Sequence, residues 1–281
     1  MECFKFDTEL SNRGLLKIID WSPATFKEPY HWHDSLEIGY CKKGHGWFYF
    51  GDKVYDVCAG DIFVVNNLQG HIAQSDASNP SYYHFIYFNR NLLELLNPEL
   101  LLPFISNPID FNHKIPARTK MAEDIGNLIE EINKEFQEEN YAHHAMAYSY
   151  LIEICVMLLR HYRGDRSGQE WERERKAYYR LKPGLDFIQD HAQEDISLED
   201  VANHLALSPS RTRHLMKETI GEGFKEYLLR RRVTLAQGLL LNTNLSVLNV
   251  GLQSGFQSDS SFYRAFKQMT GMTPQDFRNQ S

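Results

Sequence analysis

ISLEDVANHLALSPSRTRHLMKETIGEGFKEY, from Ile196 to Tyr227, returns in altered spelling as LSVLNVGLQSGFQSDSSFYRAFKQMTGMTPQDF, from Leu245 to Phe277, about 50 residues later and with one residue inserted near Gln257. Ser197 aligns with Ser246, Val201 with Val250, Lys217 with Lys267, Gly221 with Gly271 and Tyr227 with Phe277. In the first copy Ser197 is placed to cap a helix whose apolar positions, Leu198, Val201, Ala202 and Leu205, fall at i, i+3, i+4 and i+7. A turn follows at Ala206-Leu207, and Ser208-Pro209 opens a second helix, where the missing proline N–H costs nothing. Thr212, Leu215, Met216 and Thr219 then point inward, which leaves Ser210, Arg213, His214 and Lys217 facing out. In the second copy Gly251 and Gly255 allow close helix approach, Ser258 caps, Phe262, Ala265, Phe266 and Met269 face in, and Ser260, Tyr263, Arg264 and Lys267 face out. Both copies read as helix-turn-helix units with an outer face of hydrogen-bond donors.

Between the copies, Phe224–Leu241 contains no proline and carries Leu228, Leu235, Leu239 and Leu240, so it is expected to be a connecting helix. Its 18 residues span roughly 27 Å, enough to hold the two donor faces about one DNA turn apart. Arg230, Arg231 and Arg232 on that helix either reach phosphate or brace the two halves. The chain is 281 residues long with formal net charge −7, which argues against a polyanion partner until the charge is mapped. From Arg211 to Ser281 ten basic residues face five acidic ones, a local balance of +5.

Upstream the pattern changes. Leu15–Ile19, Leu36–Tyr40, Gly46–Phe50, Val54–Val57, Ile62–Val65 and Tyr83–Phe88 are short, aromatic or β-branched, and separated by turn residues such as Gly51-Asp52 and Ala59-Gly60-Asp61. They predict a small all-β sandwich or barrel over 1–115. Over 116–163 two amphipathic helices are expected, with stripes Met121, Ile125, Leu128, Ile129, Ile132 and Ala147, Leu151, Ile154, Cys155, Leu158, Leu159. These pack on the barrel or form a dimer interface. The polar run GDRSGQEWERERK, 164–176, suggests a linker over 164–180, before a helical domain at 181–281. Cys3, Cys41, Cys58 and Cys155 show no C-x-x-C spacing, and no apolar run is long enough for a membrane span or signal peptide. A cytoplasmic protein with free thiols and no membrane partner is expected. No nucleophilic triad, phosphate loop or dinucleotide fingerprint is visible.

The residues Gly255–Arg278, GFQSDSSFYRAFKQMTGMTPQDFR, closely resemble the signature of AraC-type transcription regulators, and Tyr227–Leu240 resembles that family's linker helix. Gly251 stands where alanine is usual, and Arg211, Thr212 and Arg213 where less basic residues are common. The first hundred residues are similar to the family's cupin-like arm. His31-x-His33-x3-Glu37-x6-Gly44 matches the first cupin motif, with Thr25 for its opening glycine, and Gly60-x10-His71 matches the second, with Asn66 and Leu68 for the usual proline and glycine. The resemblance implies an α+β chain: a cupin-like barrel, two long helices, then an all-α domain with two helix-turn-helix units.

The function so implied is sequence-specific binding of promoter or operator DNA, by a homodimer working with RNA polymerase, under a small-molecule effector. Activation is expected, being commoner than repression in that family. Ser210, Arg211, Arg213, His214, Lys217, Ser260, Tyr263, Arg264 and Lys267 form the expected DNA surface, with Arg213, His214 and Arg264 on base edges and Lys217 and Lys267 on phosphates. The effector set is His31, His33, Glu37, Trp47, Tyr49 and His71, in which Trp47, Tyr49 and the neighbouring Tyr55 stack on a sugar-like or aromatic ligand or simply fill the core. No cofactor is required. Yet His31, His33, Glu37 and His71 are the donor types that would hold a divalent metal such as Zn, Fe, Mn or Ni, since alternate residues of a strand face one side. The competing class is a metal-dependent cupin enzyme, an isomerase or dioxygenase, with a helical appendage. It explains the four ligands and leaves the duplicated tail without purpose.

Overall fold

The structure is a computed structural model and describes residues 15–28, 30–31, 33, 35–66, 70–105, 111–164 and 168–279. Cys3 and Leu68 lie outside them. The described residues divide into two compact units, 15–164 and 168–279.

In the first unit the alternating runs pair into two antiparallel sheets. One is ordered β1-β7-β2-β5-β8, from Leu16–Trp21 (β1), Leu36–Lys43 (β2), Ile62–Val65 (β5), Tyr82–Phe88 (β7) and Lys114–Ile115 (β8); the other is β4-β3-β6, from His45–Phe50 (β3), Lys53–Cys58 (β4) and His71–Ser75 (β6). Their facing sides share one core of Cys41, Phe48, Phe50, Val57, Phe63, Val65, Ala73, Tyr83, Phe85 and Tyr87. The β3–β4 hairpin closes at Gly51, whose φ of 54° is the left-handed value a tight turn needs. Strands β6 and β8 were not expected from sequence, nor were the short helices α1 (Asn91–Glu94) and α2 (Leu102–Ile105) with the 3-10 turn Pro98–Leu101 between them.

Two long helices follow, α3 (Lys120–Glu138), capped by Thr119 Oγ1 on the Ala122 N–H at 3.2 Å, and α4 (His143–Arg163). Ile125, Ile129 and Ile132 of α3 and Leu151, Ile154 and Leu158 of α4 are fully buried within the one chain, each stabilising the unit by about 1.5–3 kcal/mol. Both apolar stripes are thus covered inside the protomer. Glu130 of α3 pairs with Lys42 of β2 and lies 3.6 Å from His84 of β7, which in turn pairs with Asp20 of β1. A Cβ on Gly126 would sit 3.1 Å from the Tyr40 ring, so a glycine is what lets α3 approach β2.

The second unit opens with a difference from the sequence reading. Residues 168–190 form one helix, α5 (Gly168–Asp190), where an irregular linker to 180 was expected. Trp171, Tyr178, Leu181, Leu185 and Ile188 recur at helical spacing and are buried, and this apolar stripe outweighs the charged composition. Gly184 packs against the next helix; a Cβ there would meet Leu205 at 2.8 Å. Then come α6 (Leu198–His204), α7 (Pro209–Ile220), α8 (Phe224–Asn242), α9 (Val247–Gln253), α10 (Asp259–Thr270) and α11 (Pro274–Asn279).

Candidate functional site

Each helix-turn-helix unit is built as its capping residues dictate. Ser197 and Asp200 cap α6 reciprocally, and Ser208, Ser246 and Ser258 accept the N–H of Arg211, Asn249 and Ser261. The turn in the first unit places Ala206 at φ 53°, and the matching residue in the second, Gly255, lies at φ 89°. Thr212, Leu215 and Met216 are buried beneath α7; Phe262, Ala265 and Phe266 are buried beneath α10. Gly251 lets the second unit close, since a Cβ there would meet the Phe262 ring at 2.8 Å.

The expected donors therefore stand on open faces. Ser210, Arg211, Arg213, His214 and Lys217 on α7, and Ser260, Tyr263, Arg264 and Lys267 on α10, are all exposed. The helix between the units runs Phe224–Asn242, 19 residues or about 28 Å. Its arginines brace and do not face outward. Arg230 and Arg231 are buried, Arg230 pairs with Glu222 and lies 4.9 Å over the Tyr227 ring, and Arg232 donates to the carbonyls of Ala192 at 2.8 Å and Glu194 at 2.7 Å. This fixes α8 to the turn that follows α5.

The sensor residues converge elsewhere. His31 and His71 exchange both backbone hydrogen bonds at 3.1 Å, which brings their rings to 4.4 Å, and the His33 ring lies 5.0 Å from His71. Ligand nitrogens of the three histidines lie within 4.8 Å of one another, and all three residues are buried. Glu37 joins them through Oε2, 2.6 Å from His33 Nε2 and 3.4 Å from His71 Nε2. His33 Nδ1 faces the Ser35 carbonyl at 2.8 Å, and a ring nitrogen there must donate. Its Nε2 then faces the Glu37 carboxylate. Burial alone would raise the Glu37 carboxyl, but hydrogen bonds from His33 and His71 and their charges hold it down at about 2. Burial, with the neighbouring His71 and His33, pushes His31 well below its ordinary value and keeps it neutral.

Trp47 and Tyr49 do not belong to this cluster. Strand parity puts Phe48 and Phe50 inward, where their rings lie 6.2 and 6.0 Å from His71, and so turns His45, Trp47 and Tyr49 to the opposite face. There Tyr49 donates to Gln74 at 3.0 Å, and Lys27 lies 4.1 Å over its ring. Tyr55 packs at the edge of the core, in edge contact with Phe50 at 5.8 Å. Two residues the sequence reading did not select stand near the cluster. Tyr87 contacts His33 edge-on at 5.4 Å, and His113 stacks on Phe50 at 3.7 Å while its Nδ1 donates to the Val64 carbonyl at 2.9 Å. Tyr87 could have been found from its inward parity with Tyr83 and Phe85; nothing local marks His113.

The geometry agrees with what the chain resembles as a whole. A model described as an AraC-like ligand binding domain matches residues 15–150, and one described as a helix-turn-helix domain matches 201–280. The HTH-type transcriptional regulator YdeC of Bacillus subtilis is 26% identical over 259 residues, 89% of this chain and 86% of its own length. The regulatory protein PocR of Salmonella typhimurium is 36% identical over 101 residues, covering 36% of this chain; the chain spans 33% of PocR, and 31% of a Staphylococcus aureus HTH-type regulator that it matches at 24% identity. Among solved structures, ToxT from Vibrio cholerae superimposes with a TM-score of 0.65 at 12% identity over 94% of this chain and 98% of that one, a likeness of fold. The cupin-enzyme alternative finds no support among these proteins. No helix among the described residues is long and apolar enough to cross a membrane. With a ligand-binding domain followed by paired helix-turn-helix units, the chain belongs to the AraC-type DNA-binding transcription regulators.

Proposed function

We propose that this regulator reads a promoter with α7 and α10 and that its sensor cluster takes a divalent transition metal. Arg213, His214 and Arg264 are assigned to base edges, and Lys217 and Lys267 to phosphates, because a bidentate guanidinium suits guanine whereas an ammonium is a point charge. The observation that carries the DNA assignment is the exposure of all nine donors on two helices of like build. The protein acts in the cytoplasm as a homodimer that activates with RNA polymerase. Since the stripes of α3 and α4 are buried in one chain, the dimer contact uses their outer surfaces, where Met146 is exposed.

The metal assignment rests on cost and charge. Three histidines and an ionised glutamate buried together are expensive unless a cation offsets them. The Ser35 carbonyl holds the His33 ring through Nδ1, the usual outer support of a metal-bound histidine, and a metal at Nε2 would take the place of its contact with Glu37. Tetrahedral ligands at about 2.1 Å lie about 3.4 Å apart, so binding draws the rings inward. ToxT has been crystallised with an unsaturated fatty acid, but here the Glu37 charge would oppose an anionic effector.

Chelator-treated full-length protein should be titrated separately with Zn(II), Fe(II), Mn(II) and Ni(II) and followed by melting temperature and calorimetry. One ion per chain with a raised melting temperature is expected, lost in His33→Ala, which keeps specific DNA binding. No shift with any of the four metals would refute the metal assignment.

A further inference from the structure

The two helix-turn-helix units are copies in fold but differ in what holds their lysines. In the first, Lys217 Nζ donates to Glu226 Oε2 at 3.0 Å, and the same oxygen accepts the Gly223 N–H at 2.7 Å. Glu226 thus closes the N-terminus of α8 and ties down the lysine of α7 with one carboxylate. The Gly223 N–H and then Lys217 hold that carboxyl below the usual carboxylate range, so it is charged wherever DNA is bound. In the second unit the equivalent acid is Asp276, one methylene shorter. It accepts the Thr273 hydroxyl at 2.6 Å, and no ion pair joins Lys267 to any carboxylate among the described residues. A second acid separates the copies as well: Glu218 on α7 lies 3.6 Å from His214 and 3.8 Å from Arg173 of α5, whereas the matching residue on α10 is Gln268.

We propose that Glu226 sets the DNA affinity of the first unit by holding Lys217 away from phosphate, leaving Lys267 of the second unit as the electrostatic anchor. Lys217 must leave one anion to meet another, and an exposed pair of this kind is weak, so the first unit engages at a small, tunable penalty. Lys267 meets phosphate with nothing to release. The inference depends on the assignment of both lysines to phosphates.

The test is a reciprocal exchange that leaves net charge unchanged. Glu226→Asp should free Lys217, since Asp200 shows in this same unit that an aspartate three residues along can accept the capping N–H, from Ser197 at 2.8 Å. Asp276→Glu should tie Lys267. Full-length protein is titrated on a DNA site obtained by selection from random sequence, over a range of salt concentrations. Glu226→Asp is expected to tighten binding about two- to five-fold, and Asp276→Glu to weaken it by a similar factor. Lys267→Ala should flatten the salt dependence by about one ion, and Lys217→Ala should do so fully only in the Glu226→Asp background. Melting curves check folding, and Glu226→Gln, which can still cap, should tighten binding in the same direction. Unchanged affinity in both exchange variants, with equal losses for the two lysines, would overturn the inference and leave the DNA reading standing. If neither lysine variant moved affinity or its salt dependence, the phosphate assignment itself would fail.

Discussion

Two polar constellations serve this chain, and they are built on opposite principles. In the sensor, His31, His33, His71 and Glu37 are buried together, with Glu37 Oε2 2.6 Å from His33 Nε2 and 3.4 Å from His71 Nε2. In the tail, Arg213, His214, Arg264 and Lys267 stand in water on helices whose opposite sides are packed. Change in the first should be costly to the fold and abrupt. Change in the second should be graded, dependent on salt, and harmless to stability.

The largest expected effect follows from removing the carboxylate of the buried set. Glu37→Ala leaves His33 without its acid partner and should destabilise the full chain by about 3–5 kcal/mol in urea unfolding. A cost below about 1 kcal/mol would erase the contrast drawn here. Arg264→Ala, at the exposed site, should lose about 1–3 kcal/mol of specific binding and relax preference at one base while the unfolding curve stays put. Retention of full discrimination in a band-shift titration would remove Arg264 from the reading surface.

A smaller effect concerns pH. Burial lowers His113 to about 3 against an ordinary value of 6.5, opposed by its bond to the Val64 carbonyl. The folded chain therefore keeps His113 neutral while the unfolded chain takes up a proton, so its contribution is complete above about pH 6.5 and is lost as pH falls towards 3. Between pH 7 and 5.5 wild type should lose about 1–1.5 kcal/mol that His113→Phe, which keeps the stack on Phe50, does not. Parallel stability curves for the two proteins would contradict this. Smallest of all, Trp47→Ala should change metal affinity by less than about 0.5 kcal/mol, because its side chain lies across the strand from the cluster. A loss of ten-fold or more would return Trp47 to the ligand site.

The tail was legible in sequence because its duplication repeats caps, glycines and apolar positions at once; Ser208-Pro209 and Ser258 mark the same helix start twice. The histidine and glutamate set was legible through its spacing, although His31 and His33 lie ahead of β2 and not on one of its faces, His31 reaching the cluster through an isolated bridge to His71. Trp47 and Tyr49 were misplaced because β3 is aromatic on both faces, so composition could not fix its parity against Phe48 and Phe50. The first half of the helix Gly168–Asp190 was hidden by its charges, although Trp171, Tyr178 and Leu181 carry the helical period. Strands His71–Ser75 and Lys114–Ile115 are defined by their partners, Phe50 opposite His71 and Ile62 opposite Ile115, and such pairings are not local information.

α7 and α10, set apart by a braced α8, are expected to enter successive major grooves. Backbone footprinting of the full chain on a selected site, with and without Arg264→Ala, tests it most directly. Two protected blocks about 10 base pairs apart on one side of the duplex, with only one weakened by the variant, are predicted. A single block, or two blocks indifferent to Arg264, would contradict it.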